Sequence, residues 1–189
     1  IGLLILPQQA VSQTEIEEEW VASVVSIQGE VQVRRKTSEQ WETVRLEDRF
    51  HAGDIIKVGS NSRAAFVLKN ESTLRVDQQT TLVFSAAEKE KPFLIELIAG
   101  AVHFFSRVHR SLRLVTPFVN GAVEGTEFVA RVDADQTQFS LIDGRLRVYN
   151  SQGSILMTQN QSVIAAANQP PSLMAVMQPQ DAVQWTLYY

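Results

Sequence analysis

The side chains that could perform catalysis or bind a metal are few and widely spaced. The chain has three histidines, His51, His103 and His109, and no cysteine. None of the histidines belongs to a set of ligands at a spacing typical of a metal site. No G-x-S-x-G nucleophile motif occurs, and the glycines of residues 121–126 lack the lysine and following helix of a phosphate-binding loop. The sequence therefore predicts a non-enzymatic protein with no metal and no cofactor.

Two features could instead form a binding surface. Four cationic or titratable side chains fall close together in an otherwise acidic chain, namely Arg107, His109, Arg110 and Arg113. Such a cluster could bind an anionic group or face a partner, or it could keep an edge strand soluble. The second feature is Trp41, which lies in a polar stretch. It could contact a sugar or a protein, or cap one end of the core.

Composition excludes other classes of function. The formal net charge is −4 and the isoelectric point is about 5.4. This argues against nucleic acid as a partner, because phosphate binding requires concentrated lysine and arginine. With 44% hydrophobic and 20% charged residues, the 189-residue chain can bury an ordinary core and has the size of one domain with appendages.

The element pattern that must position these residues has a period of two. Short runs of β-branched and aromatic residues follow one another from Trp20 onward, which predicts an all-β chain. Gly29, Gly100, Gly144 and Gly153 each precede a strand with apolar residues two and four places on. Glycine there permits a turn with positive φ. The pattern favours a β-solenoid-like stack of short strands, and a β-sandwich or jelly roll is the alternative.

The two ends of the chain differ from this body. Residues 1–12 resemble the remnant of a secretory signal peptide, with cleavage before Gln13, although an apolar leader strand would look similar. An acidic linker is expected over residues 13–20, and the β domain over residues 21–166. Residues 167–189 are predicted to form a linker and a short helical C-terminal tail. One interpretation of this tail is the start of a TPR-like helical region. No segment is long and apolar enough to span a bilayer.

Several local motifs, taken in order, resemble the FecR-type domain family over about residues 21–166. They include a G-x-V-x-V strand at Gly29, a tryptophan loop, a Gly-Asp turn, a Thr-Pro pair, a G-T-x-F segment and a closing glycine-led strand. The residues that carry the resemblance after Gly29 are Trp41, Gly53, Asp54, Thr116, Pro117, Gly125, Thr126, Phe128 and Gly144.

The resemblance implies a β-solenoid-like body that binds another protein or a component of the cell envelope through strand edges and loops. The best-known FecR-type proteins are transmembrane anti-sigma regulators of iron-siderophore uptake. Because a signal-like segment precedes this domain, we expect an exported interaction or sensor module, periplasmic or at the bacterial surface. The alternatives are a carbohydrate- or peptidoglycan-binding module that uses Trp41, and a FecR-like regulator of iron-uptake signalling through a sigma factor.

Overall fold

Fourteen β-strands form nearly all of the regular structure in the described part of the chain, which confirms the all-β prediction. The computed structural model describes residues 19–85, 93–174 and 184, without the side chains of residues 108–110 and 126. The strands are β1 (Ala22–Gln28), β2 (Val31–Arg34), β3 (Trp41–Thr43), β4 (Arg49–Phe50), β5 (Ile55–Val58), β6 (Arg63–Leu68), β7 (Thr73–Val76), β8 (Thr81–Ser85), β9 (Phe93–Val115), β10 (Asn120–Val132), β11 (Gln136–Asn150), β12 (Gly153–Met157), β13 (Gln161–Ala166) and β14 (Ser172–Leu173).

One hydrogen-bonded network joins these strands, and it branches at β9. The main path runs in the order β14-β13-β11-β10-β9-β7-β6-β1-β4. A second path runs β3-β2-β5-β8 and meets the first half of β9. β12 pairs with the second half of β11. Strand β9 therefore connects two sheet regions and extends beyond both, together with β10 and β11.

Strands β9, β10 and β11 are much longer than the sequence predicts. Three separate strands are expected between Phe93 and Val115, but β9 runs through all 23 residues. Gly100 and Gly144 have the positive φ that the sequence predicts (91° and 100°). The turns predicted at these two glycines are wrong, however, because both lie inside continuous strands. At Gly100 a side chain would meet the neighbouring strand, because a Cβ there would lie 2.5 Å from the Cα of Thr80. Glycine thus permits a close approach at the point where the ladder with β10 ends, at Gly100, and the ladder with β8 begins, at Ala99.

The strand pairings leave the finer architecture open. All the recorded ladders are antiparallel, both between chain neighbours such as β6 and β7 and between distant strands such as β1 and β6. Successive coils of a parallel β-helix would pair in parallel. The β-solenoid prediction is therefore not confirmed, and the β-sandwich alternative is not confirmed either.

Phenylalanines fill the core beneath the long strands. Phe50, Phe66 and Phe84 form one cluster, with ring centroids 5.4 to 5.9 Å apart. A second cluster places Phe128 between Phe104 (5.3 Å) and Phe139 (6.4 Å). All of these rings are fully buried. Because alternate residues of a strand face opposite ways, burial of one face fixes the outward direction of the side chains between them.

The predicted ends lie mostly outside the described residues. This applies to residues 1–12, to most of the acidic linker and to the helical tail that the sequence predicts from Pro179. Within the described part, β14 pairs with β13 through Val163 and Leu173. No helix of the described part is both long and apolar enough to span a membrane.

Candidate functional site

The outward face formed by the second half of β9, the first half of β10, the second half of β11 and β12 carries three arginines. Arg113 lies opposite Ala122, which in turn lies opposite Arg147, and Leu156 follows on β12. In the next row, Glu124 lies between Ser111 and Arg145. Residues directly opposite one another on adjacent strands share a face, so the two rows form one surface.

These side chains line a groove of about 330 Å³, which we call the arginine groove. The surface is recessed there because Ala122 presents only a methyl group between the long side chains of Arg113 and Arg147. Buried Leu112 and Val123 contribute to the lining, and Leu156 borders the groove with 55% of its surface exposed. The lining residues are Ser111, Leu112, Arg113, Ala122, Val123, Glu124, Arg145, Arg147 and Leu156.

The three arginines of the groove form no ion pair within the described part of the chain, although Glu124 lies among them. No carboxylate there lies within ion-pair distance of Arg113, Arg145 or Arg147. Arg113 has a neutral partner, because its Nη2 donates a hydrogen bond to the hydroxyl of Tyr149 at 3.1 Å. Like charges on one sheet face repel, so the cluster is not favoured by folding alone. Such an arrangement can attract an anion.

Three arginines elsewhere in the described part of the chain form ion pairs with carboxylates, unlike those of the groove. Arg34 contacts Glu39 at 3.0 Å, Arg35 contacts Asp54 at 2.8 Å, and Arg63 contacts Asp77 at 3.4 Å. Those pairs hold turns and strand ends in place. The groove arginines instead keep donors available to a ligand.

The cationic side chains that the sequence groups into one cluster do not all lie at one site in the structure. Arg113 lines the arginine groove, whereas Arg107 lines a separate cavity with Phe105 and Glu71. The side chains of His109 and Arg110 lie outside the description.

Sequence reasoning missed Arg145 and Arg147, which complete the groove. Both occur in the glycine-led segment from Gly144 to Val148 that was considered only for its strand pattern. The alternation was a usable signal, since buried Leu146 and Val148 require the two arginines to face outward. Their proximity to Arg113 was not visible, because it depends on the pairing of β9, β10 and β11.

Trp41 lies on β3, away from the arginine groove, and is 42% exposed. The guanidinium carbon of Arg34 lies 5.8 Å from the centroid of its ring, and the ammonium of Lys57 lies 5.9 Å from it. These are cation–π distances. A sugar that stacked on this ring would have to share it with the two cations.

The Gly-Asp motif organises a buried turn. The side chain of Asp54 is 3% exposed, and its Oδ2 accepts hydrogen bonds from Arg35 Nη1 (2.8 Å) and the backbone N–H of His51 (3.0 Å). Its Oδ1 accepts from the backbone N–H of Lys36 at 3.1 Å. Preceding it, Gly53 donates its N–H to the carbonyl of Phe84. The motif therefore ties the β2–β3 and β4–β5 connections together.

The Thr-Pro pair is also part of the scaffold. The Thr116 hydroxyl contacts the Val119 carbonyl and lies 2.9 Å from the Thr137 hydroxyl, so it fastens the β9–β10 turn to β11. Pro117, next in the chain, is exposed and borders two cavities.

The remaining motif residues lie in the strands. Gly125 pairs with Gly144, and a Cβ on Gly125 would lie 2.9 Å from the carbonyl oxygen of Asp143. Phe128 is the central ring of its core cluster. The side chain of Thr126 is outside the description. Gly125, Phe128 and Gly144 thus lie in the long strands β10 and β11 that carry the arginine groove.

His103 is a buried titratable group on β9, and it is 3% exposed. Its Nε2 lies 2.9 Å from Glu127 Oε1, and its Nδ1 has no hydrogen-bond partner. Burial lowers the pKa of His103 below 6.5, which outweighs the raising effect of Glu127, and Arg75 lowers the pKa further. A neutral imidazole with its Nε2–H donating to Glu127 fits this environment. Its burial closes this histidine to a substrate.

The described residues hold no group of three or more histidines and carboxylates that could bind a metal ion. His51, the other described histidine, lies in the turn that Asp54 organises.

Comparisons with known proteins identify the family and the fold. The sequence profile described as FecR protein matches residues 54–147, a range that includes the arginine groove up to Arg147. No curated protein matches the sequence significantly. Two crystal structures of a protein from Parabacteroides distasonis ATCC 8503, proposed to be an anti-sigma factor, are similar in fold. Each has a TM-score of 0.61 and 14% sequence identity, and each match covers 70% of this chain.

The chain spans less than two thirds of the length of that Parabacteroides protein, since the matches cover 64% and 63% of it. At this identity the similarity concerns the fold alone. The assignment depends instead on the profile match and on the order of the motifs along the chain. The chain contains a FecR domain, which the profile match places at residues 54–147.

Proposed function

We propose that this domain is a non-enzymatic regulatory module that binds another protein through the arginine groove. The observation that carries the proposal is the convergence of Arg113, Arg145 and Arg147 without a carboxylate partner among the described residues. The FecR domain and the fold similarity to a protein proposed to be an anti-sigma factor support a regulatory role.

We also propose that the module acts outside the inner membrane, in the periplasm or at the cell surface. The support is the signal-like composition of residues 1–12. A FecR-like role in iron-uptake signalling through a sigma factor remains an alternative. In that case the arginine groove would receive a signal from a partner, and another region of the protein would transmit it.

The glycan-binding alternative depends on the exposure of Trp41. Binding of purified peptidoglycan that is lost in Trp41→Ala and retained in Arg147→Glu would support it. Binding of peptidoglycan that is retained in Trp41→Ala and lost in Arg147→Glu would instead indicate the arginine groove as the binding site.

Site-specific photo-crosslinking in the native bacterium tests the main proposal. A crosslinking amino acid is introduced at Leu156, beside the groove, and at Leu46 as a control that is similarly exposed, at 61%. We expect a discrete protein adduct from position 156 that disappears when Arg145→Glu and Arg147→Glu are added. The proposal fails if position 156 gives no adduct, or if the adduct is unchanged by the two charge reversals.

A further inference from the structure

We infer that the arginine groove takes an extended acidic segment of a partner protein in which an apolar side chain stands beside carboxylates. This inference rests on the proposed function and names the chemistry of the ligand.

The charge balance of the groove is opposite to that of the whole chain. The lining contains three arginines and one glutamate, while the protein has a formal net charge of −4. A positive patch on an acidic protein repels other surfaces of like charge and attracts an acidic one, so it selects partners as well as binding them.

The spacing of the arginines suits more than one carboxylate. Arg113 and Arg147 lie two strands apart, about 10 Å between backbones, on either side of Ala122. Arg145 and Arg147 lie two residues apart on β11, about 7 Å. Each guanidinium can bind a carboxylate through two parallel hydrogen bonds. The bond from Arg113 to Tyr149 restricts that side chain and leaves its other donors for a ligand.

The apolar border favours a polypeptide over an anionic polymer. Leu156 is 55% exposed and lies in the same cross-strand row as Arg147. A polyuronate or a polyphosphate would leave this leucine in water. A peptide with one apolar residue between its acidic residues can cover the leucine and reach the arginines together.

Glu124 limits how much negative charge the groove accepts. It lies between Ser111 and Arg145, on the same strand as Ala122. A carboxylate at that position disfavours a densely charged ligand and leaves two excess positive charges to be matched. Removing its charge should therefore strengthen the binding of acidic probes.

Fluorescence anisotropy with the full chain tests the inference. The probe is a labelled short peptide with glutamates on both sides of a leucine, and its control peptides replace the glutamates by glutamine or the leucine by serine. We expect Arg113→Ser and Arg147→Ser each to weaken binding of the acidic probe by about tenfold, with Glu124→Gln strengthening it about threefold. The matched control Arg45→Ser, at an exposed arginine in a distant turn, should change affinity by less than about twofold.

Competition by polygalacturonate and by polyphosphate separates the sources of the anion. The inference is overturned if the glutamine peptide binds as well as the acidic one, if serine in place of leucine has no effect, or if either polymer binds while the peptide does not. A protein adduct at Leu156 with no binding of the acidic peptide would reject only this inference. Binding of a polymer in place of the peptide, with no adduct at Leu156, would reject the proposed function as well.

Discussion

Replacement of Asp54 by asparagine should destabilise the domain without enlarging or emptying any cavity. The two side chains have nearly the same shape, but asparagine is neutral and one of its terminal atoms is a donor. Three donors surround this carboxylate, from Arg35, Lys36 and His51. An amide can satisfy them only in part, because its nitrogen must face at least one of them.

The size of the effect follows from these contacts. The charge-assisted bond to Arg35 contributes about 1.5–3 kcal/mol, and a buried N–H left without an acceptor costs about 1–3 kcal/mol. The Arg35 side chain is 25% exposed and can regain some hydration, so the lower part of the range applies. We expect Asp54→Asn to lower the free energy of unfolding by about 3 kcal/mol, which corresponds to a fall in Tm of about 6–12 °C for a domain of this size.

Urea unfolding followed by tryptophan fluorescence and circular dichroism measures this loss. The matched control is Asp48→Asn, since Asp48 accepts a hydrogen bond from the backbone N–H of Arg45 at 2.7 Å and asparagine keeps an acceptor there. The control should lose less than about 1 kcal/mol. If the two variants lose the same amount, the argument that Asp54 ties the turns together is refuted.

Substitutions of His103, Gly100 and Phe128 test the scaffold and its buried histidine. Because the pKa of His103 is lowered in the folded protein, the unfolded chain binds the proton more readily, and stability should decline as the pH falls below about 6.5; urea titrations at about pH 5 and about pH 8 should show a smaller difference for His103→Gln than for the parent protein, and an equal difference would contradict this. Gly100→Ala should lower stability by at least about 2 kcal/mol through strain and a clash, whereas Gly59→Ala, where a Cβ meets its neighbours at 3.4 Å or more, should change it by less than about 1 kcal/mol. Phe128→Ala should lower stability by about 3–5 kcal/mol and Phe128→Leu by less, as measured by thermal melting, and a near-neutral alanine variant would show that the ring is not central to the core.

The fold class could be predicted because its signals are local. Alternating apolar residues specify strands with one buried face, and they do so wherever the strand pairs. A glycine before a strand is a second local signal, and it is correct at Gly29, which has a positive φ of 76° shortly before β2. The same signal was misinterpreted at Gly100 and Gly144, because a positive φ serves a turn or a bulge equally well. Only the position of Thr80 and of the paired strands distinguishes the two.

The candidate site could be predicted only in part. Arg113 was identified because cationic residues cluster near it along the chain, and Arg107 was grouped with it for the same reason. In the structure these two arginines line different cavities, and the pairing of β9 with β10 shifts register between Phe105 and Arg110. Proximity in sequence was thus a poor guide once the chain was extended.

The sequence by itself determined that the chain is all-β, that its apolar residues form a core, and that its ordered motifs belong to the FecR family. These properties depend on residue type and on spacing within a few positions. The tertiary structure alone decided that Arg145 and Arg147 lie beside Arg113 across Ala122. The physical reason is register: the pairing of β9, β10 and β11 depends on packing and on bulges near Gly125 and Gly144, and a shift by one residue would turn these arginines into the core.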